Sequence, residues 1–493
     1  MTDRPSVLGV GMIYSPGLEP AFEAGADLVD VIEIEPQLRR DPDGRYRLRE
    51  EIFGPAERVA KPKLIHGVGF PVGGTAGPDE RDLAAFVEAI ERSGSPWASE
   101  HLSFNQVRAA GREYFGGFLL PPVQSPATVR LAARNIRAVA GLLPVPFAFE
   151  TGVNYLERLP GEMTDGAFFA AVAEEADCGI LLDLHNLWCN ERNGRQSVLD
   201  ALAELPLDRV WEVHLAGGSE LDGLWLDAHS SAVPEPLYEI AAQVLPCLPN
   251  LGAVIFEIAP EVVGRGQVPS SVVVEQLRRI RELWDGAKGG PVSDAADLES
   301  QRTVRIRERE AVSVVAVPVV AVSAAADLLP DPERWESVLG ALTVTGTADA
   351  GDLALARTLA ADRAMPTLRK LAQSFRSGVV VNTMPLAFRL IMFSAGEQGF
   401  HELMKRFWQD NFPRRYPAEE IDDFLAFLRT GGSGIAHLDE VAAYELATRR
   451  VRTLGGEERV RFTCEPLPLL TDLAGFKKPR PTVPGEFEVL VTP

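Results

Sequence analysis

The sequence predicts an eight-stranded parallel β/α barrel, a TIM barrel of the α/β class, followed by a smaller, mainly helical α+β domain. Three observations lead there. Eight short β-rich apolar runs alternate with amphipathic stretches through the first 288 residues; most of those runs end in an acidic or imidazole side chain; and about 200 of the 493 residues remain after the last run and the helical stretch that follows it. Alternation of this kind gives a parallel sheet with helices outside, and such a barrel takes roughly 250 residues, so the remainder needs a fold of its own.

The predicted strands are residues 7–13, 29–34, 63–68, 97–102, 147–151, 179–183, 209–215 and 254–258. Helical periodicity covers 79–93, 126–142, 165–176, 234–245 and 270–284, the last four with Ser, Thr or Pro near their starts. A linker is expected at 289–302, in a stretch rich in Gly, Asp, Ser and Ala, between a barrel domain at 1–288 and a second domain at 303–493. In that domain, 366–375, 386–407, 418–428 and 435–454 read as helices, and 460–464 and 486–491 as strands. The most apolar stretch, 312–325, is broken by Pro318 and too short to span a bilayer, so it reads as a buried strand or packed linker.

A formal charge of −21 argues against a cationic track for nucleic-acid phosphates. Cys178, Cys189, Cys247 and Cys464 have no CxxC spacing, and a chain of this size needs no disulfide staples. The start, MTDRPSVLGV, lacks the basic and long apolar regions of a signal peptide, so a cytoplasmic protein with reduced thiols and no membrane contact is expected.

Strand-end chemistry points to metal. His66 in KLIHGVG, His101 in WASEHLSF, Glu150 in FAFETG, Asp183 in GILLDLHN, His214 in VWEVHLAGG and Glu257 in AVIFEIAP close six successive runs, and Asp227 and His229 follow in WLDAHS. Five of the seven histidines, His185 included, belong to the pattern. All carboxyl ends of a parallel barrel open on one face, where these groups converge. Singly, each reads as a hydrogen-bonded or capping side chain. Together they would repel or shift their pKa values without cations, and imidazole plus carboxylate suits iron, zinc or manganese. Cys189 reads as structural, and His401 and His437 as surface or capping residues. The cluster FWQDNFPRRYP offers aromatic and Arg chemistry for peptide contact, or ordinary helix-end packing.

The strings HGVG, SEHLSF, LLPP, FETGVNYL, LLDLHNLW with Asn193 and Gly194 downstream, EVHLAGG and LDAHSSAVPEPLY, in order over residues 7–284, resemble the multinuclear non-haem iron-dependent oxidative enzymes that modify ribosomally made peptides, among them the methanobactin-biosynthesis oxidase. The resemblance implies two or three iron ions at the barrel mouth, mixed-valent Fe(II)/Fe(III), with dioxygen as co-substrate and a precursor peptide oxidised at Cys, or at Asp or Asn. It makes His66, His101, Glu150, Asp183, His214, Asp227, His229 and Glu257 the expected ligands. His185 joins a third position if its side chain turns inward. Glu150, Asp183, His214 and Glu257 form the expected catalytic set, with Glu150 bridging, and Asn186 and Glu212 orient ligands.

Three departures from the family pattern are His185, where many relatives have Asn, Thr151 after Glu150, where relatives often have Asn, and Glu33 and Glu35 in VIEIEPQ. The family usually acts with a separate peptide-capturing partner. YPAEEIDDFLAFL and HLDEVAAYELATRR loosely resemble such a partner, which predicts a fused recognition domain. Two further readings stand beside this one. Trinuclear zinc endonucleases of the abasic-site type have a similar ligand order, but with a His three residues after the strand-six Asp, whereas His185 lies two after Asp183. A non-catalytic peptide-binding scaffold would have lost ligands that are all present here.

Overall fold

A computed structural model describes residues 5–40, 46–109, 111–289, 329–348, 353–431 and 433–493. Eight strands close into a parallel barrel: β1 Gly9–Ile13, β2 Val31–Ile34, β3 Lys63–Gly67, β4 Ala98–His101, β5 Phe147–Glu150, β6 Gly179–Asp183, β7 Val210–Ala216 and β8 Ala253–Glu257. Each pairs with its neighbours in chain order, and β8 returns to β1. All eight predicted strands are present; seven of the runs are Val-, Ile-, Leu- or Phe-rich, the fourth reads WASEHL, and all are buried almost throughout.

Helices Glu80–Ser93, Pro126–Ala140, Asp165–Ala176, Glu235–Val244 and Ser270–Gly289 occupy the predicted stretches. Asp79 caps the first by accepting from N of Arg81, and Ser125 caps the second by accepting from N of Thr128. Their apolar faces pack on the outside of the strands in one continuous core.

The barrel interior is layered by the two-residue strand period. Val31, Leu64, Trp97, Ala148, Trp211, Ala253 and Ile255 form an apolar plug. Two residues further along, the same faces carry Glu33, His66, Ser99, Glu150 and Glu257. Strand β7 departs from this rule. Its partner on β6 jumps from Val210 at Ile180 to Glu212 at Leu181, a bulge that lets the consecutive Trp211 and Glu212 both serve the interior. Gly179 accommodates the bulged Trp211, since a Cβ there would collide with its indole.

The chain divides into two compact units. The first is Met1–Gln106, Leu119–Leu339 and Ala350–Thr367; the second is Val107–Phe118, Gly340–Asp349 and Leu368–Pro493. Segments beyond the barrel thus belong to the barrel unit. Trp335 is buried and donates Nε1 to O of Pro121 at 2.9 Å; Glu336 accepts from N of Thr75 at 2.8 Å; Asp362 accepts from N of Glu157 at 2.8 Å. These anchors lie on loops leaving the carboxyl ends of β3, β4 and β5.

The second unit holds helices Pro385–Asp410, Pro417–Arg429, Leu438–Leu454 and Pro466–Ala474, most of Met365–Thr383, and antiparallel strands Glu458–Cys464 and Pro484–Val491. Its core includes Phe400, Phe407, Phe424 and Phe462. Helices Pro332–Val344, Leu353–Ala360 and Pro466–Ala474 and the hairpin Phe104–Ala109/Arg112–Leu120 add to the predicted elements. Apart from residue 289, the expected linker and the apolar stretch 312–325 lie outside the described residues. Among the described residues no single helix is long and apolar enough to cross a membrane.

Candidate metal centre

Strand register brings the predicted side chains together. His101 on β4 is the register partner of Glu150 on β5, and Asp183 on β6 that of His214 on β7. Nε2 of His66 and Nε2 of His101 lie 3.1 and 3.0 Å from the same atom, Oε2 of Glu150. The outer nitrogens are held from behind: Nδ1 of His66 faces Oγ of Ser99 at 2.8 Å, and Nδ1 of His101 donates to O of Gly67 and to Glu100, at 3.0 and 3.1 Å. Glu100 also accepts from N of Phe70 at 3.0 Å, which ties the loop after β3 to this imidazole. Such backing fixes a ligand's tautomer and aim.

On the opposite side, Nδ1 of His214 and Nε2 of His229 stand 3.1 and 3.4 Å from Oε2 of Glu257. Asp183 uses Oδ1 to cap helix Leu184–Arg192, accepting from N of Asn186 at 2.8 Å. Asn186 donates Nδ2 to Oε1 of Glu150 at 3.0 Å. Asp227 arrives from the ribbon Ser219–Leu221/Leu224–Leu226 and has His185 and His229 each 2.9 Å from Oδ1. His229 sits at φ 47, a left-handed conformation that a non-glycine residue adopts at a cost of about 1 kcal/mol or more.

Among the described residues of the barrel, four groups have their donor atoms within 4.8 Å: His66, His101 and Glu150; Glu150, Asp183 and His214; Asp183, His229 and Glu257; and, deeper on the other nitrogen of His214, Glu33, Glu212 and His214. Glu150 and Asp183 each belong to two. Oε2 of Glu150, Oδ2 of Asp183, Nδ1 of His214, Nε2 of His229 and Oε2 of Glu257 are buried yet make no hydrogen bond. Their separations near 3 Å without hydrogen-bond geometry fit a shared cation, because two donors ~2.1 Å from one ion at right angles stand ~3.0 Å apart. The residues present therefore fit a multinuclear cluster of imidazole and carboxylate.

Electrostatics agree. Among the described residues, the partners within ion-pair distance of Glu33, Glu150, Glu212, Asp227 and Glu257 are all imidazoles. Burial, then the charges of Asp227, Glu150 and Glu257, pushes the Asp183 carboxyl well up. Burial also works to raise Glu150, but His101 and His66 outweigh it and hold that carboxyl well below the usual range. A bound cation would relieve the repulsion that Asp183 registers.

Sequence reading left Glu33 outside the site, yet it is fully buried, 3.2 Å from Nε2 of His214, and pushed up to about 7, by burial before all else. Its place two residues after the inward Val31 was the available signal. Trp97, Ser99, Glu100, Tyr155 and Trp225 were also missed as supporting residues. Glu212 lies below His214, 3.8 Å from Nε2, and accepts from the Trp97 indole at 2.9 Å. In the second unit, His437, Glu440 and Cys464 also gather within 4.8 Å. There Glu440 accepts from N and Oγ1 of Thr463 at 3.0 and 2.6 Å and meets Nδ1 of His437 at 3.0 Å, so these groups tie a helix start to a strand.

A family model described as RiPP precursor modification enzyme MbnB/TglH/ChrH matches residues 10–279. A UPF0276 protein of Streptomyces avermitilis is 35% identical over 245 residues, 48% of each chain, so the chain spans about half the length of that relative. UPF0276 proteins of Chromobacterium violaceum and Pseudomonas aeruginosa are 32% and 33% identical over 247 and 246 residues, 50% of this chain and 85% and 83% of theirs. Among solved structures, a D-psicose 3-epimerase in the presence of D-fructose aligns with TM-score 0.37 and 14% identity, over 57% of this chain and 99% of that one. Endonuclease IV from Thermus thermophilus aligns with TM-score 0.35 and 17% identity, over 56% and 98%.

Proposed function

The chain belongs to the MbnB/TglH/ChrH family of RiPP precursor modification enzymes, and from that premise we propose that it uses two or three irons and dioxygen to oxidise one residue, Cys or else Asp or Asn, of a ribosomally made precursor peptide. The observation that carries the metal dependence is the set of three triads sharing Glu150 and Asp183, with their inward atoms buried and free of hydrogen bonds.

In this reading His66, His101 and Glu150 would hold one ion and Glu150, Asp183 and His214 a second, with Asp183, Asp227, His229 and Glu257 available to complete the cluster. Bound iron would supply one-electron chemistry, positions for dioxygen and affinity for a substrate thiolate. The chain's own part is to place and insulate. Ser99, Gly67 and Glu100 aim the imidazoles of β3 and β4, Asn186 steadies the outer oxygen of Glu150, and the apolar plug with Trp97 and Trp211 closes the barrel beneath. Water is thereby excluded from one side, and the peptide must approach from the carboxyl-end loops.

The second unit is proposed to recruit the peptide. Supporting this, it exposes Phe375, Leu467, Phe476 and Leu490, large apolar groups outside its core. The deciding experiment is elemental analysis of protein purified without oxygen, with Mössbauer spectroscopy on iron-enriched material. Two or three coupled irons per chain are expected. Stoichiometric zinc that persists after anaerobic iron reconstitution would overturn the oxidative reading in favour of hydrolysis.

A further inference from the structure

We infer that His185 binds no ion and is instead a positioning residue, which holds the Asp227 carboxylate through one ring nitrogen while the Trp225 indole locks the other. The inference deepens the metal-centre reading and rests on it.

The key contrast lies at one atom. Oδ1 of Asp227 has two imidazole nitrogens at the same 2.9 Å, Nδ1 of His185 and Nε2 of His229. The His185 contact has hydrogen-bond geometry. The His229 contact does not, and Nε2 of His229 is buried without any hydrogen bond, as an ion ligand would be. Equal distance thus hides two different roles.

The proton count at His185 follows from its other side. Nε1 of Trp225 lies 3.2 Å from Nε2 of His185, and an indole N–H can only donate. Nε2 must therefore accept, and in a neutral ring Nδ1 then carries the proton that it donates to Asp227. An ion on Nδ1 would drive that proton to Nε2 and set two N–H groups head to head in a fully buried position. An ion on Nε2 would have to displace the indole.

The indole is not free to leave. Asn193 accepts from N of Trp225 at 2.9 Å and donates to its O at 2.8 Å, while the Trp188 ring packs against it with centroids 5.1 Å apart. Cys189 fills the space beside the imidazole, its Sγ 3.7 Å from Nε2. Asp227 is fixed a second time, its N donating to the hydroxyl of Tyr155 at 3.0 Å. Trp225, His185 and Asp227 form a hydrogen-bonded chain whose far end would meet a bound ion, the arrangement by which outer groups tune metal sites.

The test uses zinc as a diamagnetic probe on the full-length protein. In zinc-loaded protein with 15N-labelled histidine, ring-nitrogen shifts should show His185 with one protonated and one unprotonated, metal-free nitrogen, whereas His229 shifts to a metal-bound value. Zinc competition titrations should show His185→Ala and Trp225→Phe each weakening one ion, about 10–100-fold for the former. His185→Asn should recover most of that loss, because its amide can still donate to Asp227. A metal-bound shift at His185, or Trp225→Phe and His185→Ala binding every ion as the native protein does, would overturn the positioning role alone. Native protein that takes up no more than one zinc would bring down the multinuclear reading itself, and this inference with it.

Discussion

Nε2 of His214 stands 3.2 Å from Oε1 and 3.3 Å from Oε2 of Glu33, across the barrel interior, while its Nδ1 faces Glu257. Glu33 thereby fixes the protonated nitrogen of His214 and leaves the other lone pair for an ion. The carboxyl pays for this role in burial, which raises it to about 7. Glu33→Gln should weaken one ion by roughly 10–100-fold while leaving the metal-free barrel at least as thermally stable as the native one. Metal titration and calorimetry on the same preparation check both halves; a less stable barrel with unchanged metal affinity would assign Glu33 to structure instead.

Asp183 offers a cleaner separation of stability from metal binding. Its Oδ1 caps a helix and its Oδ2 is free of hydrogen bonds. Asn is as good an N-cap as Asp, whereas Ala forfeits about 1 kcal/mol. Asp183→Asn should therefore keep the native melting temperature in chelator but lose bound metal and activity. Asp183→Ala should lose all three. Equal metal content in Asp183→Asn and native protein would remove this residue from the cluster.

The barrel was legible because most of its strands are short apolar runs ending in a polar group, and parallel packing sends all those ends to one face. The site was legible for the same reason: Glu150, Asp183 and His214 are strand-end residues. What escaped were groups whose role depends on depth or on a bulge. Glu33 sits inside a run that reads as one more strand, and the consecutive Trp211 and Glu212 break the two-residue alternation that identifies inward positions. Trp225 lies in a short ribbon with no periodicity of its own. His185 could be placed in the cluster from its spacing, but the direction of its ring nitrogens depends on an indole 40 residues away.

Trp335 carries a different expectation. It is 1% exposed, and its Nε1 bonds to O of Pro121 within the barrel unit although it follows the barrel by many residues. Trp335→Ala should destabilise that unit by roughly 3–5 kcal/mol, the usual loss for a large buried aromatic. Trp335→Phe, which keeps most of the volume but drops the N–H, should lose less. Denaturant unfolding followed by metal-site absorption in cobalt-loaded protein reads the barrel unit specifically; an unchanged midpoint for Trp335→Ala would show that this helix does not support the barrel.

The second unit has its own pH signature. Glu445 is buried, accepts from N of Leu386 and Ala387 at 2.7 and 2.8 Å, and is raised from 4.5 to about 7, by burial before all else. Between those values the folded state holds a proton that the unfolded chain has released, so stability falls as pH rises from about 4.5 to about 7 and levels off above. The full excursion corresponds to about 3 kcal/mol. Glu445→Gln cannot titrate, so its unfolding free energy should be flatter over that window, even though one of the two backbone N–H groups then faces an amide. Fluorescence-monitored urea unfolding at a series of pH values measures the difference in slope; parallel curves for the two proteins would show that Glu445 is already ionised in the folded state below pH 5.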